Sequence, residues 1–230
     1  AVPFTISCWL RFETTVGMGI VGLYDTATEN NYHYLGLQNA SGIKAASTAG
    51  GTEAAAQHAT AVSTGVWYHA CAAFDVTTGT DRAIWLDGAG KVTSTTNRAA
   101  AGLDTFAIGR IHKLTPSNYF DGMIAHLAVW DVVLTDREVL TLAGGTDPRM
   151  VRSASLKGYW PAGSPTETHR VDGAPNAITW NASPATGMNP PKPDTLYYDD
   201  TPFYPSAAAT KAGLWSPGQL GVPDPILATM

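Results

Sequence analysis

Gly65-Val-Trp-Tyr-His-Ala-Cys71, Ile84-Trp-Leu-Asp-Gly88 and Phe120-Asp-Gly-Met-Ile124, the last running into Leu134-Thr-Asp-Arg-Glu138, are the pieces of residues 65–145 that decide the fold. The first three are short apolar runs bounded by turn residues, which is how strands read in sequence. Asp87-Gly88 is a favoured hairpin turn, because both residues tolerate positive φ. The last piece opens a helix: Thr135 can cap it, Glu138 can return the capping box, and Leu134 can staple to Val139. Gly144-Gly145 then ends it.

Outward from this stretch the pattern repeats. Phe4, Ile6, Cys8 and Leu10 alternate onto one face of a strand and leave Trp9 on the other. Further short runs follow at 20–24, 32–37, 42–47, 66–74, 82–87, 91–95, 106–110 and 119–130. In the last of these, Phe120, Gly122 and Ile124 fall out of phase with Leu127 and Val129. One extra residue near Ala125-His126 restores all five to one face, so a β-bulge is expected there. Strand character resumes at Leu156-Lys-Gly-Tyr-Trp-Pro161 and again at 176–180. Many short strands between turns indicate an all-β antiparallel sandwich and argue against βαβ units.

Those motifs, in that order over residues 4–159, resemble the laminin-G-like (concanavalin A-like) jelly roll. Phe4-Thr-Ile-Ser-Cys-Trp9 is similar to the family's first strand, Trp67-Tyr-His-Ala70 to its Trp-x-His-x element, and Phe106-Ala-Ile-Gly-Arg110 to its aromatic-x-Ile-Gly strand. The resemblance implies two antiparallel sheets packed face to face, with one short helix. Where many relatives carry acidic residues after the Ile of the last long strand, this chain has Ala125 and His126. Gly158-Tyr159-Trp160-Pro161 resembles a segment that often precedes the jelly roll, yet here it follows. That order, with a Pro-rich ending, is similar to phage-encoded relatives.

Composition narrows the function. Charged residues are 14% of the chain, with 14 Lys and Arg against 19 Asp and Glu and no basic cluster, so contact with nucleic acid is not expected. Ala1-Val2-Pro3-Phe4 enters a strand at once, without the pattern of a signal peptide, and Ala1 fits loss of an initiator Met. No apolar run approaches the ~20 residues of a membrane helix. Cys8 and Cys71 each sit in an apolar strand, where buried, reduced thiols are expected.

The search for chemistry returns little. Sandwich-fold glycosidases place Glu-x-Asp-x-x-Glu on one strand, but Glu13, Glu29, Glu53, Glu138 and Glu167 are scattered. Gly-x-Ser-x-Gly is absent, and His69, two residues from Cys71, reads as a hydrogen-bonded histidine of the sandwich. The six histidines, His33, His58, His69, His112, His126 and His169, show no zinc spacing. Calcium stays open, because Asp25, Glu29, Asn30, Asp75, Asp81, Asp104 and Asp121 all lie near strand ends. No catalytic residue and no other cofactor are expected. Gly88-Ala-Gly-Lys91 is a fragment of a phosphate loop and reads as a turn.

Two features remain. Tyr24, Asn30, Asn31, Tyr32 and Tyr34 form a candidate sugar platform, although such rings also serve as cross-strand pairs. Residues 187–230 form a Pro- and aromatic-rich arm behind a sandwich of 1–186, with Tyr197, Tyr198, Asp199, Asp200, Phe203, Tyr204 and Trp215 as candidate partner anchors. The leading expectation is a non-enzymatic structural protein of a virus particle, made in the host cytoplasm. It would be a phage capsid decoration or cement protein whose arm binds the major capsid protein and neighbouring copies of itself, as a homo-oligomer in the assembly. The alternative is a carbohydrate-binding, lectin-like module for adhesion or host recognition.

Overall fold

The structure is a computed structural model and describes residues 3–39, 42–75 and 82–161, together with the backbone of 166–167 and 178–179. Two antiparallel sheets face each other. The first holds six strands in the order β11 (Leu156–Trp160), β10 (Gly122–Trp130), β1 (Phe4–Phe12), β6 (Trp67–Phe74), β7 (Arg82–Leu86) and β8 (Ala89–Ser94). The second holds β5 (Thr52–Gln57), β4 (Ile43–Ala49), β3 (Tyr32–Leu37), β2 (Met18–Tyr24) and β9 (Thr105–Ile108). A two-residue pair, β12 (Thr166–Glu167) with β13 (Ile178–Thr179), stands apart from both sheets in its pairing. The expected antiparallel sandwich is what forms.

Alternation explains the core. Phe4, Ile6, Cys8, Leu10 and Phe12 of β1 meet Ile84 and Leu86 on their own sheet and Leu35, Leu37 and Ile43 across the gap. Each such side chain is worth about 1.5–3 kcal/mol when taken fully from water, so this layer dominates the stability. Cys8 lies in this inter-sheet core, whereas Cys71 lies in a second cluster on the other side of the same sheet. Both thiols are free and buried, and opposite faces keep them from bonding.

That second cluster is covered by α1 (Asp136–Ala143), whose Val139 and Leu142 pack with Leu134 on Trp85, Trp130 and Tyr159. The capping box at Thr135 and Glu138 forms as read from sequence. Gly145 at φ 88° accepts the left-handed turn, with Gly145 N–H donating to Leu142 O and Thr146 N–H to Thr141 O. An eight-residue helix does not persist alone, so buried Val139 and Leu142 hold it more than the cap does.

The bulge also forms. Ser7 pairs Ala128 and Trp9 pairs Ala125, so β10 carries one extra residue, and His126 takes φ 49°. Leu127 thereby returns to the core with Ile124 and Val129 beside it. Asp87 (φ 52°) and Gly88 (φ 76°) make the expected hairpin turn.

Sequence reading missed one strand and overran others. β5 has the sequence Thr-Glu-Ala-Ala-Ala-Gln, whose alanines carry little β-propensity; its pairing with β4 puts it in the sheet. Tyr119 and Phe120 precede β10, and Gly109 and Arg110 follow β9, because residues 109–121 fold as a long connection. Of the strand expected at 176–180, Ile178–Thr179 is described and is strand; 176, 177 and 180 lie outside the described residues.

Candidate functional site

The outer face of the five-stranded sheet gathers the tyrosines named above. Tyr24 and Tyr32 are cross-strand partners with ring centroids 5.9 Å apart, and Tyr32 and Tyr34, two apart on β3, lie 5.7 Å apart. Their floor is made of small residues. A Cβ at Gly36 would lie 2.5 Å from Cε2 of Tyr34, and one at Gly22 would lie 2.7 Å from the Tyr24 phenol oxygen. The Tyr34 ring and the Tyr24 phenol therefore rest against glycines, with Ala46, Ala55 and Ala107 completing the surface.

The connection 109–121 walls one side. Ile111 packs over Gly19 and joins the tyrosine cluster, and the Tyr24 phenol donates to the backbone oxygen of Arg110 at 3.1 Å. Lys113 pairs with Glu29 at 2.7 Å, and the Thr115 N–H donates to the same carboxylate. This wall changes the sequence reading: Tyr24 is fully buried and Tyr34 nearly so, and burial pushes both phenols up to stay neutral donors. Tyr24 and Tyr34 are thus supports. Of the three rings only Tyr32 is partly exposed.

The opposite border is polar. Glu53 on β5 accepts from the Tyr34 phenol at 3.0 Å and from Lys44 Nζ at 2.7 Å, and Lys44 also sits 5.3 Å from the centre of the Tyr34 ring. Lys44 is only 6% exposed, whereas Glu53 reaches the surface. Neither was singled out from sequence. Glu53 sits on the unrecognised strand, and a lone Lys on a strand carries no signal.

At the loop end of this face, Asn31 builds the turn, donating to Asp25 and accepting from Gly50 N–H, while Asn30 is exposed at the rim. Asp25 accepts from Thr28 Oγ1, Ala27 N–H and Asn31, and its carboxyl is held below the usual range, first by the Thr28 bond. Asp104 accepts from Thr26 N–H and Oγ1 and is lowered by that bond. Glu29 is lowered chiefly by Lys113. The carboxylates proposed for calcium here serve the loop itself, and Asp121 lies at the other end, its backbone oxygen accepting from Glu13 N–H. Among the described residues no three of His, Cys, Asp or Glu gather as a metal cluster; Asp81 lies outside them.

His69 is a buried, hydrogen-bonded histidine of the sandwich, as read from sequence. Its Nε2 lies 2.8 Å from Ser7 Oγ, it is 1% exposed, and burial pushes it down to about 3. His126 Nδ1 meets the Tyr159 hydroxyl at 2.7 Å. The arm residues Tyr197, Tyr198, Asp199, Asp200, Phe203, Tyr204 and Trp215 lie outside the described residues.

Residues 1–140 match the family model described as the concanavalin A-like lectin/glucanases superfamily, more than half of the 230-residue chain. The chain belongs to that superfamily. Comparison with curated proteins returns no match. Among solved structures this superfamily member is similar to a heptameric SAP-like pentraxin from Limulus polyphemus, with 17% identity, TM-score 0.50, and 61% of this chain against 69% of that one. It is also similar to a protein from Bacteroides ovatus ATCC 8483 described as carbohydrate binding, with 21% identity, TM-score 0.55, and 80% of this chain against 56% of that one. A third is the CBM40 of Ruminococcus gnavus IT-sialidase bound to α2,3 sialyllactose, with 17% identity, TM-score 0.52, and 61% against 82%. The superfamily chain thus spans little more than half of the Bacteroides ovatus protein. These likenesses establish the fold.

Proposed function

We propose that the chain is a non-enzymatic glycan-binding module whose ligand lies against the outer face of the five-stranded sheet. The observation that carries this is the tyrosine cluster: two buried rings, Tyr24 and Tyr34, seated against glycines, flank the partly exposed Tyr32, and the Lys44–Glu53 pair borders the cluster at Tyr34. A rigid ring with one accessible side can stack on the apolar face of a sugar, while Glu53 and Asn30 at the border meet hydroxyls. The carboxylates there are bonded to Lys44, Tyr34, Lys113 and threonines, an arrangement that suits binding and leaves no paired acid and nucleophile. Two of the similar structures are carbohydrate-binding by their names, which supports the reading as analogy of fold.

The capsid-decoration expectation draws on the order of the sequence segments and on the arm of residues 187–230, which lies outside the described residues, and none of the three similar structures named is a virion protein. The lectin-like alternative therefore becomes the preferred reading. A glycan array with the full chain tests it: saturable binding that falls at least ~10-fold on Tyr32→Ala is expected, the order of one lost stacking contact. A blank array, or binding that Tyr32→Ala leaves intact, refutes the proposal.

A further inference from the structure

The outer face of the six-stranded sheet is covered at one end. There α1, with Leu134 and Val151, closes over Trp85 and Trp130. At the other end Trp9 pairs with Ala125 and His69 on the neighbouring strands, and Arg11 pairs with Met123 and Trp67, so alternation puts Trp9, Arg11, Trp67 and Met123 on this same face. All four are partly exposed. The Trp9 ring meets the His69 ring edge to face at 5.4 Å between centroids, and His69 is itself held by Ser7. The Arg11 guanidinium is engaged by Glu13 and by the Gly65 oxygen. Two indoles in diagonal register, with Cα atoms about 7–8 Å apart, therefore stand partly open to solvent beside a neutralised arginine.

The described chain leaves beside these indoles. β11 runs antiparallel to β10, toward the end of the sheet that holds Met123, and beyond it the His126 N–H donates to the Pro161 oxygen. His126 adjoins Ala125, the partner of Trp9, so Pro161 lies about two strand spacings, roughly 10 Å, from β1. Later in the sequence comes Asn189-Pro-Pro-Lys-Pro-Asp194, a P-x-x-P segment. In polyproline II such a segment places its first and last prolines on one side, about 9 Å apart, and aromatic-lined surfaces take it with little ordering entropy to lose. We infer that residues 190–193 dock in cis on Trp9 and Trp67, Pro190 and Pro193 each meeting one indole. Lys192 then faces exposed Asp121, whose backbone oxygen accepts from Glu13 N–H at this end of the face. The residues between Pro161 and Pro190 can reach on the order of 100 Å when extended, well beyond the distance required. Within one chain the two parts meet at an effective concentration on the order of mM, which favours this arm over that of a second copy in dilute solution.

Fluorine resonances of 5-fluorotryptophan built into the full chain, each assigned by its Trp→Phe variant, read the docking. Pro190→Ser with Pro193→Ser should shift the Trp9 and Trp67 signals toward that of free fluorotryptophan and leave those of buried Trp85 and Trp130 in place. Lys192→Glu should move them part of the way, by an amount that shrinks as salt rises from about 0.05 to about 0.5 M. A peptide of residues 189–194, added to the double-serine variant at a concentration on the order of mM, should bring both signals back. Signals untouched by the proline changes, or a shift shared equally with Trp85 and Trp130, overturn the inference. Parent signals that stay fixed on dilution support docking in cis; signals that move on dilution to the variant's positions assign the face to a second copy's arm and overturn it. A face indifferent to the prolines but shifted by a glycan also overturns it. Tyr32 belongs to the other sheet, so none of these results decides the glycan reading above.

Discussion

Replacing Gly36 with alanine should lift the Tyr34 ring off its sheet. The added Cβ would meet Tyr34 Cε2 at 2.5 Å, Tyr34 Cδ2 at 2.9 Å and the backbone oxygen of Met18 at 2.8 Å. Carbon atoms in contact sit about 3.5–4.0 Å apart, so the ring has to move by about 1 Å or more, while the Met18 oxygen is fixed in its ladder. Gly36 has no left-handed φ, so the effect is steric alone. The displaced ring strains the Tyr34 bond to Glu53 and the Lys44 contact above it. Overpacking costs about 1–3 kcal/mol, and a weakened bond to a charged acceptor adds up to about 1.5–3 kcal/mol. A net loss of about 2–4 kcal/mol corresponds to a fall in melting temperature of roughly 4–16 °C for a chain of this size. Differential scanning calorimetry reads that shift, and a glycan titration reads the accompanying loss of affinity. A variant that melts within about 1 °C of the parent would refute the claim that Tyr34 lies on Gly36.

Two further outcomes can be checked on the parent protein. His33, wedged between Phe4 and Phe74, is pushed down to about 4 by burial and then by Arg82, and His69 to about 3. Both folded values lie below the unfolded one, near 6.5, so the unfolded chain takes up protons first and stability falls as pH drops from about 6.5 toward 4. Urea midpoints at pH 7 and pH 4.5, a window above most carboxylate titration, should differ by a few kcal/mol in unfolding free energy; equal midpoints would contradict the burial of both rings. Cys8 and Cys71, fully buried with their thiols pushed up, should not react with a chromogenic disulfide reagent until denaturant is added, when both react. Labelling of either thiol in the native protein would place it elsewhere.

Much of this architecture was readable from local signals. The first strand, the bulge at His126 and the capped helix each follow from spacing over a few residues, because period and cap chemistry are local. Tyr32 and Tyr34 could be placed on one face by alternation, and Tyr24 by the hairpin. Their burial could not, since it depends on a connection that reaches back across 86 positions, as in Thr115 N–H to Glu29. Glu53 was hidden for another reason: an alanine-rich edge strand gains its place from its neighbour β4, and carries little of its own sequence signal.

The sandwich is closed by a strand that lies beyond the 140 residues of the family match. Trp160 of β11 stacks on Phe106 of β9 at 5.6 Å, joining the edge of one sheet to the edge of the other, while Leu127 to Trp130 of β10 pair with β11. A chain emerging from the ribosome as far as α1 therefore has an unpaired β10 edge and a Phe106 without its stacking partner. Completion of the fold waits for about twenty more residues, and until they arrive the growing chain presents an open apolar seam to whatever surrounds it.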